Sequence, residues 1–321
     1  MRVSSLGDVL HNLPMVADLL RRHPSATIDW VVEEGYTSLV RLNPHVRRII
    51  PWGLRRWRKS LGKAATRAEI KDFFRTLREE EYDVVFDTQG LLKTGIIMGA
   101  ARIRRGGKKV GLANGSEGSG YESISRVFHT DSIPLSPRSH AVARGRLVAG
   151  AALGYPVDIP PDFGLPAPTS ALRPAFLPFE DYAVFFHGTA REAKKWSREN
   201  WVALGAALAP MPVLLPWGSQ QELTEAESLA ASLPNARVLP KLSMMDAVSL
   251  AQHARLAVGV DTGLTHIAAA FVRPTVEIYC DSPKWKTEGN WSDRIVNLGD
   301  LGAPPSAQEV IAAARRLLET G

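Results

Sequence analysis

Two segments in the second half of the sequence place polar side chains directly after apolar runs. Residues 187–194 follow one run, and residues 261–266 follow another. A loop that leads from a strand into a helix presents backbone N–H groups and a helix dipole to an anion. Threonine and lysine side chains add hydrogen bonds and positive charge for phosphate oxygens. The two segments together favour one phosphate-bearing ligand, although a solvated loop and a helix cap explain each of them separately.

A carboxylate stands close to the N-terminus. Asp8 lies at the predicted start of a helix, where it is either a helix cap or a general base. Composition alone does not assign a role to His11, which lies on the same helix. Only three residues precede the turn at Ser4, which is too short for a typical buried strand. We therefore expect the first strand to be missing through a misplaced start, or else a fold that lacks this strand.

Positive charge is concentrated in the first half of a chain whose net charge is +6. The basic residues form two clusters: Arg47, Arg48, Arg55, Arg56, Arg58, Lys59, Lys63 and Arg67, then Arg102, Arg104, Arg105, Lys108 and Lys109. Such clusters indicate an anionic partner, unless they are merely solvated faces. Nucleic acid is disfavoured because zinc-finger spacing and RNP-like motifs are lacking. The fingerprints of dinucleotide-binding and P-loop proteins are also absent from the sequence.

Short strand-like runs alternate with amphipathic helical patterns such as residues 68–80, which predicts parallel sheets flanked by helices. The predicted strands are 27–32, 83–87, 182–187, 212–216, 256–260, 275–279 and 294–298. A proline-rich interval breaks the alternation. We predict an N-terminal α/β domain over 1–155, a linker over 156–178 and a C-terminal α/β domain over 179–321, with a ligand cleft between the domains.

Composition narrows the class and location of the protein. The chain has 321 residues, of which 45% are hydrophobic, enough for two globular domains. Its single cysteine, Cys280, excludes an intramolecular disulfide and favours a reducing compartment such as the cytoplasm. No apolar run reaches membrane-spanning length, and no signal peptide is visible, although the protein is still able to lie on a membrane surface.

Eight segments, in order along nearly the whole chain, resemble those of glycosyltransferase family 9, the lipopolysaccharide heptosyltransferases. The segments are Ser4–His11, Asp29–Glu34, Arg55–Lys59, Asp87–Lys93, His187–Trp196, Leu215–Gly218, Leu239–Lys241 and Val260–His266. The resemblance implies a GT-B fold made of two Rossmann-like domains. It also implies inverting transfer of heptose from ADP-heptose to the Kdo residue of Kdo₂-lipid A, with no cofactor or metal.

Individual roles follow from the same resemblance. Asp8 corresponds to the catalytic base, and Lys194 would assist departure of the diphosphate. The implied donor-binding residues are Thr189, Lys194, Glu222, Asp261, Thr262, Gly263, Leu264 and His266. The implied acceptor-binding residues are Ser5, Arg55, Arg56, Arg58 and Lys59. An anionic glycolipid acceptor further implies peripheral contact with the cytoplasmic face of the inner membrane.

Some positions depart from the family pattern. Relatives often have two threonines where this chain has Thr189-Ala190, and many have Gly-Pro-Thr where Cys280–Pro283 stands. Two alternatives stay open at this point. One is a family 9 enzyme that uses a different core acceptor. The other is a non-catalytic protein that binds anionic glycolipid, which the presence of both Asp8 and Lys194 disfavours.

Overall fold

The computed structural model describes residues 1–167, 177 and 179–320. The chain divides into two compact units, Met1–Gly164 and Leu165–Gly321. Of the predicted linker, residues 156–164 belong to the first unit, whereas residues 168–176 and 178 lie outside the described part.

The first unit contains two small parallel sheets. Its strands are β1 (Ile28–Glu33), β2 (Val46–Trp52), β3 (Glu81–Asp87), β4 (Arg102–Leu112) and β5 (Asp131–Ile133). Its α-helices are α1 (Leu6–His11), α2 (Pro14–Arg22), α3 (Thr37–Arg41), α4 (Leu54–Trp57), α5 (Ala64–Leu77), α6 (Leu92–Ala100) and α7 (Ala141–Leu153). Two 3₁₀ helices cover Glu34–Tyr36 and Ser123–Phe128. β1 pairs with β2, and β4 lies between β3 and β5.

The first three residues bridge the two sheets. The carbonyl of Val3 accepts a hydrogen bond from the Glu33 N–H at 3.0 Å, and the carbonyl of Met1 accepts one from Thr88 at 3.2 Å. They therefore lie between β1 and β3, at the position of a first strand in a Rossmann-like order. Behind Met1, a cavity of about 700 Å³ opens between the same two strands.

The second unit contains one six-stranded parallel sheet. Its strands are β6 (Ala183–Phe186), β7 (Val213–Leu215), β8 (Ala236–Val238), β9 (Leu256–Val260), β10 (Thr275–Tyr279) and β11 (Ile295–Gly299). Its α-helices are α8 (Arg198–Ala207), α9 (Gln220–Ala230), α10 (Met244–His253), α11 (Gly263–Ala270) and α12 (Ala307–Glu319). Among the described residues of this unit, 3₁₀ helices cover Glu192–Lys194 and Lys284–Lys286.

The strand order of this sheet is β11-β10-β9-β6-β7-β8. The chain winds outward from β6 to β8, then crosses over and winds outward again from β9 to β11. The order therefore reverses between β6 and β9, and in open α/β sheets ligands bind beyond the carboxyl ends of the strands at such a point. The predicted α/β class with parallel sheets is confirmed.

Buried apolar residues fix this arrangement. Every residue of β6, β9 and β10 is buried, as expected for parallel strands covered on both faces. Gly259 in β9 is required by close packing, because a Cβ there would lie 2.1 Å from Oγ1 of Thr265 and 2.8 Å from Cβ of Phe186. A side chain at position 259 would thus push α11 away from the sheet.

Candidate active site

The loops after β6 and β9 meet at the point where the strand order reverses. The loop after β6 carries the 3₁₀ helix Glu192–Lys194, and the loop after β9 begins with Asp261. The ammonium group of Lys194 donates a short hydrogen bond to Oδ2 of Asp261. The structure therefore brings together two of the predicted donor-binding residues that are 67 positions apart in the sequence.

A row of charged side chains continues inward from this pair. Nε2 of His266 lies 3.0 Å from Oδ1 of Asp261, and Nδ1 of His266 lies 2.8 Å from Oε1 of Glu277. The second oxygen of Glu277 accepts from the Tyr279 hydroxyl at 2.9 Å and from the Gly289 N–H at 2.8 Å. The inner end of the row is thus fully hydrogen-bonded.

The surroundings of these groups set their protonation. Burial lowers the pKa of His266, but the charge of Glu277 and the hydrogen bonds to both carboxylates outweigh it and raise the pKa to about 10. Burial raises the pKa of Asp261, but His266 and Lys194 outweigh it and hold the pKa well below its usual range. At neutral pH, His266 is therefore a cation that donates from both ring nitrogens, and Asp261 is a carboxylate.

The helix α11 begins immediately beyond Asp261. Thr262 occupies the N-cap position, yet its side chain makes no capping hydrogen bond within the described structure. The carboxylate of Asp261 instead contacts Lys194, His266 and the Thr287 hydroxyl, the last at 3.3 Å. Gly263 and Leu264 form the first turn and are partly exposed. The first-turn N–H groups are thus positioned to meet an anion.

Glu222 lies against the loop that follows β6. A Cβ on Gly188 would lie 2.7 Å from the carboxyl group of Glu222, so a larger residue there would displace that side chain. Oε2 of Glu222 accepts hydrogen bonds from the backbone N–H groups of Gly218 at 2.7 Å and Ser219 at 3.1 Å. This carboxylate therefore caps α9 and borders the loop at the same time. Thr189 is half-buried in that loop, next to Gly188.

In the first unit, both carboxylate oxygens of Asp8 have hydrogen-bond partners. Its Oδ2 accepts from both the backbone N–H and the hydroxyl of Ser5, each at 2.9 Å, and its Oδ1 contacts the Arg2 guanidinium. Burial raises the pKa of Asp8, but the charge of Arg2 and the Ser5 hydrogen bonds outweigh it and lower the pKa to about 2. Asp8 is therefore an ionised helix cap in this arrangement.

More basic side chains lie near Asp8. Arg144 is buried on α7, where burial and the charge of Arg2 lower its pKa to about 10. Its Nη2 atom has no hydrogen-bond partner within the described part of the chain. From the first turn of α6, Lys93 places its ammonium group 3.1 Å from the hydroxyl of Ser4. This region combines one carboxylate with three cations, which suits an anionic ligand that carries a hydroxyl group.

The predicted acceptor-binding cluster around α4 contains two kinds of arginine. Arg56 forms ion pairs with Glu34 at 3.1 Å and Glu69 at 2.7 Å. By contrast, Arg58 and Lys59 form no ion pair among residues 1–167, 177 and 179–320. Arg55 donates to the Tyr36 hydroxyl at 3.3 Å. Charge available to an external anion therefore lies on Arg55, Arg58 and Lys59 rather than on Arg56.

Sequence reasoning missed Glu277, Arg2, Lys93 and Arg144 as site residues. A signal for Glu277 was present, since it is the only charged residue in the strand Thr275–Tyr279. Buried acids in apolar strands require a partner, and here that partner is His266. Arg144 had no comparable signal, because its spacing in α7 resembles that of an ordinary exposed arginine.

The described part of the chain contains neither a membrane-spanning helix nor a cluster of metal-ligating side chains. None of the helices in the described part of the chain has both the length and the apolar character of a membrane span. Over the same residues, no group of three or more His, Cys, Asp and Glu side chains is placed to hold a metal ion.

Comparison with known proteins gives consistent matches. The family model of glycosyltransferase family 9 (heptosyltransferase) matches residues 70–313. Lipopolysaccharide heptosyltransferase 1 of Pseudomonas aeruginosa is 38% identical over 281 residues, covering 87% of this chain and 77% of that protein. The protein of the same name from Escherichia coli K12 is 35% identical over 288 residues, covering 87% of this chain and 86% of that protein.

Solved structures agree with the fold. E. coli heptosyltransferase WaaC with ADP superimposes with a TM-score of 0.84 at 31% identity, over 98% of each chain. E. coli ADP-heptose lps heptosyltransferase II, at 20% identity, superimposes with a TM-score of 0.75, over 99% of this chain and 97% of the other. The predicted GT-B fold with two Rossmann-like units is therefore confirmed. Taken with the sequence matches, it shows that the chain belongs to glycosyltransferase family 9, the heptosyltransferases.

Proposed function

We propose that this protein transfers heptose from ADP-heptose to the Kdo residue of Kdo₂-lipid A in the assembly of the lipopolysaccharide inner core. The observation that carries the proposal is the row Lys194–Asp261–His266–Glu277, which begins beyond the carboxyl ends of β6 and β9. It is supported by solved structures of a relative, E. coli WaaC, with ADP and with ADP-2-deoxy-2-fluoro heptose.

The donor binds to the second unit. The diphosphate draws Lys194 away from Asp261 and accepts hydrogen bonds from Thr189 and from the first turn of α11. Glu222 binds the ribose through the oxygen that does not cap α9, while Leu264 borders the sugar. As the bond to the anomeric carbon breaks, negative charge grows on the departing ADP. Lys194 and the α11 N-terminus stabilise that charge in place.

The acceptor is activated by Asp8. Asp8 takes the proton of a Kdo hydroxyl while the oxygen attacks the anomeric carbon, and ADP leaves from the opposite face through an oxocarbenium-like state. The pairing of Asp8 with Arg2 must loosen in this step, because a carboxylate whose pKa is about 2 is a weak base. The anionic groups of the acceptor contribute to this change by binding Arg2 in place of Asp8.

The remaining acceptor contacts come from the basic side chains of the first unit. Arg58 and Lys59 bind phosphate groups of the glycolipid, together with Arg55 and the Ser5 hydroxyl. Arg56 contributes less, because Glu34 and Glu69 already neutralise it. A lipid-linked acceptor places the protein at the cytoplasmic face of the inner membrane as a peripheral protein.

The decisive experiment is mass spectrometry of Kdo₂-lipid A after incubation with ADP-heptose and the protein. Addition of one heptose is the expected result. A parallel reaction with an already heptosylated core tests the alternative acceptor, and heptose addition only there would overturn the proposal. Failure to release ADP with both acceptors would instead support a glycolipid-binding protein without turnover.

A further inference from the structure

Four large apolar side chains are exposed on two neighbouring elements of the first unit. Leu92 and Ile96 on α6 are 40% and 44% exposed, while Ile124 and Val127 on the 3₁₀ helix Ser123–Phe128 are 52% and 69% exposed. We refer to these four residues as the apolar face. Exposed clusters of this kind mark interaction surfaces more often than isolated exposed leucines do.

Packing between the two elements keeps the apolar face together. The Phe128 ring rests on Gly95 and Gly99, where an added Cβ would lie 2.6 Å from it. Leu92 and Ile96 are one helical turn apart and flank this contact, because residues four apart share one side of an α-helix. Ile124 and Val127 are three apart and share one side of a 3₁₀ helix. Both pairs therefore border one packed junction.

Positive charge surrounds the same junction. Arg126 is exposed between Ile124 and Val127, and Lys93 follows Leu92. Burial lowers the pKa of Lys93, and the charges of Arg55 and Arg58 lower it further, although the charges of Glu33 and Glu122 oppose this effect. Arg58, Lys59 and Arg126 form no ion pair in the part of the chain that the structure describes. The carboxylate of Glu122 accepts a hydrogen bond from the Leu92 N–H at 2.6 Å, which holds it at the N-terminus of α6.

We propose that the apolar face is a docking surface for an anionic lipid bilayer. Leu92, Ile96, Ile124 and Val127 enter the boundary between headgroups and acyl chains, and the flanking cations bind lipid phosphates. Apolar side chains bordered by arginine and lysine are the composition that interfacial membrane binding requires. The inference rests on the proposed function, because a lipid-linked acceptor has to be reached at a membrane surface.

Vesicle binding tests this inference directly. The full chain is sedimented with phosphatidylcholine vesicles and with mixed phosphatidylcholine–phosphatidylglycerol vesicles. Binding is expected to the mixed vesicles only and to weaken with added salt, because the anionic headgroups supply the electrostatic part. Ile124→Ser combined with Val127→Ser should reduce the partition coefficient by roughly tenfold or more, because two buried apolar side chains are lost from the interface.

The matched control is Leu301→Ser in the second unit, where Leu301 is 60% exposed. This variant should bind vesicles like the wild type, and equal melting temperatures of all three proteins would show that folding is intact. Equal vesicle binding by the double variant and the control would overturn the inference. A dimer of the wild type and of the control in analytical ultracentrifugation, with a monomer of the double variant, would also overturn the inference. The apolar face would then join two copies of the chain.

A second assay separates this inference from the proposed function. Heptose transfer is measured with a deacylated Kdo acceptor in solution, and the double variant should retain wild-type turnover there. Vesicle binding without any transfer would refute the proposed function while leaving the docking surface intact. Transfer without vesicle binding by the wild type would refute the docking surface alone.

Discussion

Glu277 accepts a hydrogen bond of 2.8 Å from Nδ1 of His266, within a strand whose five residues are all buried. Glu277 is connected to Asp261 and Lys194 through this imidazole. It is therefore a positioning residue, which keeps His266 protonated and thereby holds Asp261 in place beside Lys194. Its role is visible only in the folded structure, because the two residues are 11 positions apart on different elements.

Replacing Glu277 with Gln should change how stability depends on pH. The folded pKa of His266, about 10, lies above its ordinary value of 6.5. Its contribution to stability is thus complete below about pH 6.5 and disappears as pH rises toward 10. Loss of a buried charged partner should cost roughly 3–5 kcal/mol. Denaturant unfolding from pH 6 to pH 10 should show a decline for the wild type and a flatter profile for Glu277→Gln.

A ligand-binding readout separates positioning from simple destabilisation. Calorimetry at a temperature where Glu277→Gln remains folded should show weakened binding of a non-reactive ADP-heptose analogue. Glu277→Asp keeps the charge and should restore part of the affinity. Unchanged affinity in the Gln variant would mean that Glu277 serves the fold alone.

Lys194→Ala should weaken ADP binding and slow transfer, because the diphosphate is charged in both the ground state and the transition state. The neighbouring Lys195 provides the control, since its ammonium group already pairs with Glu192 and Glu225. Calorimetry with ADP should show a large loss for Lys194→Ala and a small one for Lys195→Ala. Equal losses would assign the effect to the charge of the loop as a whole.

Asp8→Asn should preserve folding and ADP binding, because asparagine caps helices about as well as aspartate. Turnover should fall by roughly 10²–10⁴-fold, the usual result of losing a general base. Steady-state rates and ADP calorimetry on the same preparation measure both effects. Near-normal turnover of Asp8→Asn would show that Asp8 serves only as a helix cap.

The pH dependence of the wild type adds an independent test of the Asp8 environment. A folded pKa of about 2 lies below the ordinary 3.8, so the carboxylate stabilises the fold above about pH 3.8, and that contribution disappears as pH falls toward 2. In the wild type, titration of Asp8 should therefore not affect kcat/KM between pH 5 and pH 7. In Arg2→Ala the pKa of Asp8 should rise, because the opposite charge next to it is removed, and the acid limb of kcat/KM should move to higher pH.

Arg58→Ala should raise the KM for the acceptor and leave the KM for the donor nearly unchanged. Arg56→Ala should have a smaller effect, because Glu34 and Glu69 compensate its charge. The difference should shrink in high salt, since exposed charges are screened. Kinetics with both substrates at two salt concentrations measure this contrast. An equal rise in both KM values for Arg58→Ala would point to a long-range or structural effect.

The cavity between β1 and β3 supplies a stability prediction. Val31 and Val85 line it together with Met1, and on that side neither strand has a strand partner in the described structure. A short apolar strand engineered upstream of Met1 should fill the space and raise the melting temperature, because it buries apolar surface and pairs strand edges. A matched extension of serine and glycine is the control. Identical melting temperatures for the two extensions would contradict the prediction.

Buried apolar strands were predictable from sequence, and strongly charged strands were not. The predicted strands 256–260 and 275–279 coincide with β9 and β10. β4 was interpreted only as a basic cluster, because Arg102 and Arg104 interrupt any apolar alternation. In the structure these two side chains pair with Glu81 and Asp83 on the adjacent strand β3. Cross-strand ion pairs depend on register, which local sequence does not contain.

In the candidate site, too, some contacts are predictable from the sequence and others are not. The family resemblance implies a shared site for Lys194, Asp261 and His266, and the structure connects all three. The sequence does not predict the pairing of Asp8 with Arg2, because the three residues before Ser4 are too few to indicate a strand direction. Such contacts depend on side-chain direction at the junction of several elements, and neither hydrophobic periodicity nor composition contains that information.

The row from Lys194 to Glu277 alternates in sign, so its four charges cancel before any nucleotide arrives. A neutral row attracts distant anions only weakly. Free phosphate also gains little binding free energy there, because binding Lys194 would leave the Asp261 carboxylate without its partner. If the proposed function is right, the heptose hydroxyl groups of the donor compensate for that loss by donating to Asp261 while the diphosphate binds Lys194. ADP, once the heptose has been transferred, no longer carries those hydroxyl groups. The re-formed pairing of Lys194 with Asp261 would then compete with ADP and assist product release.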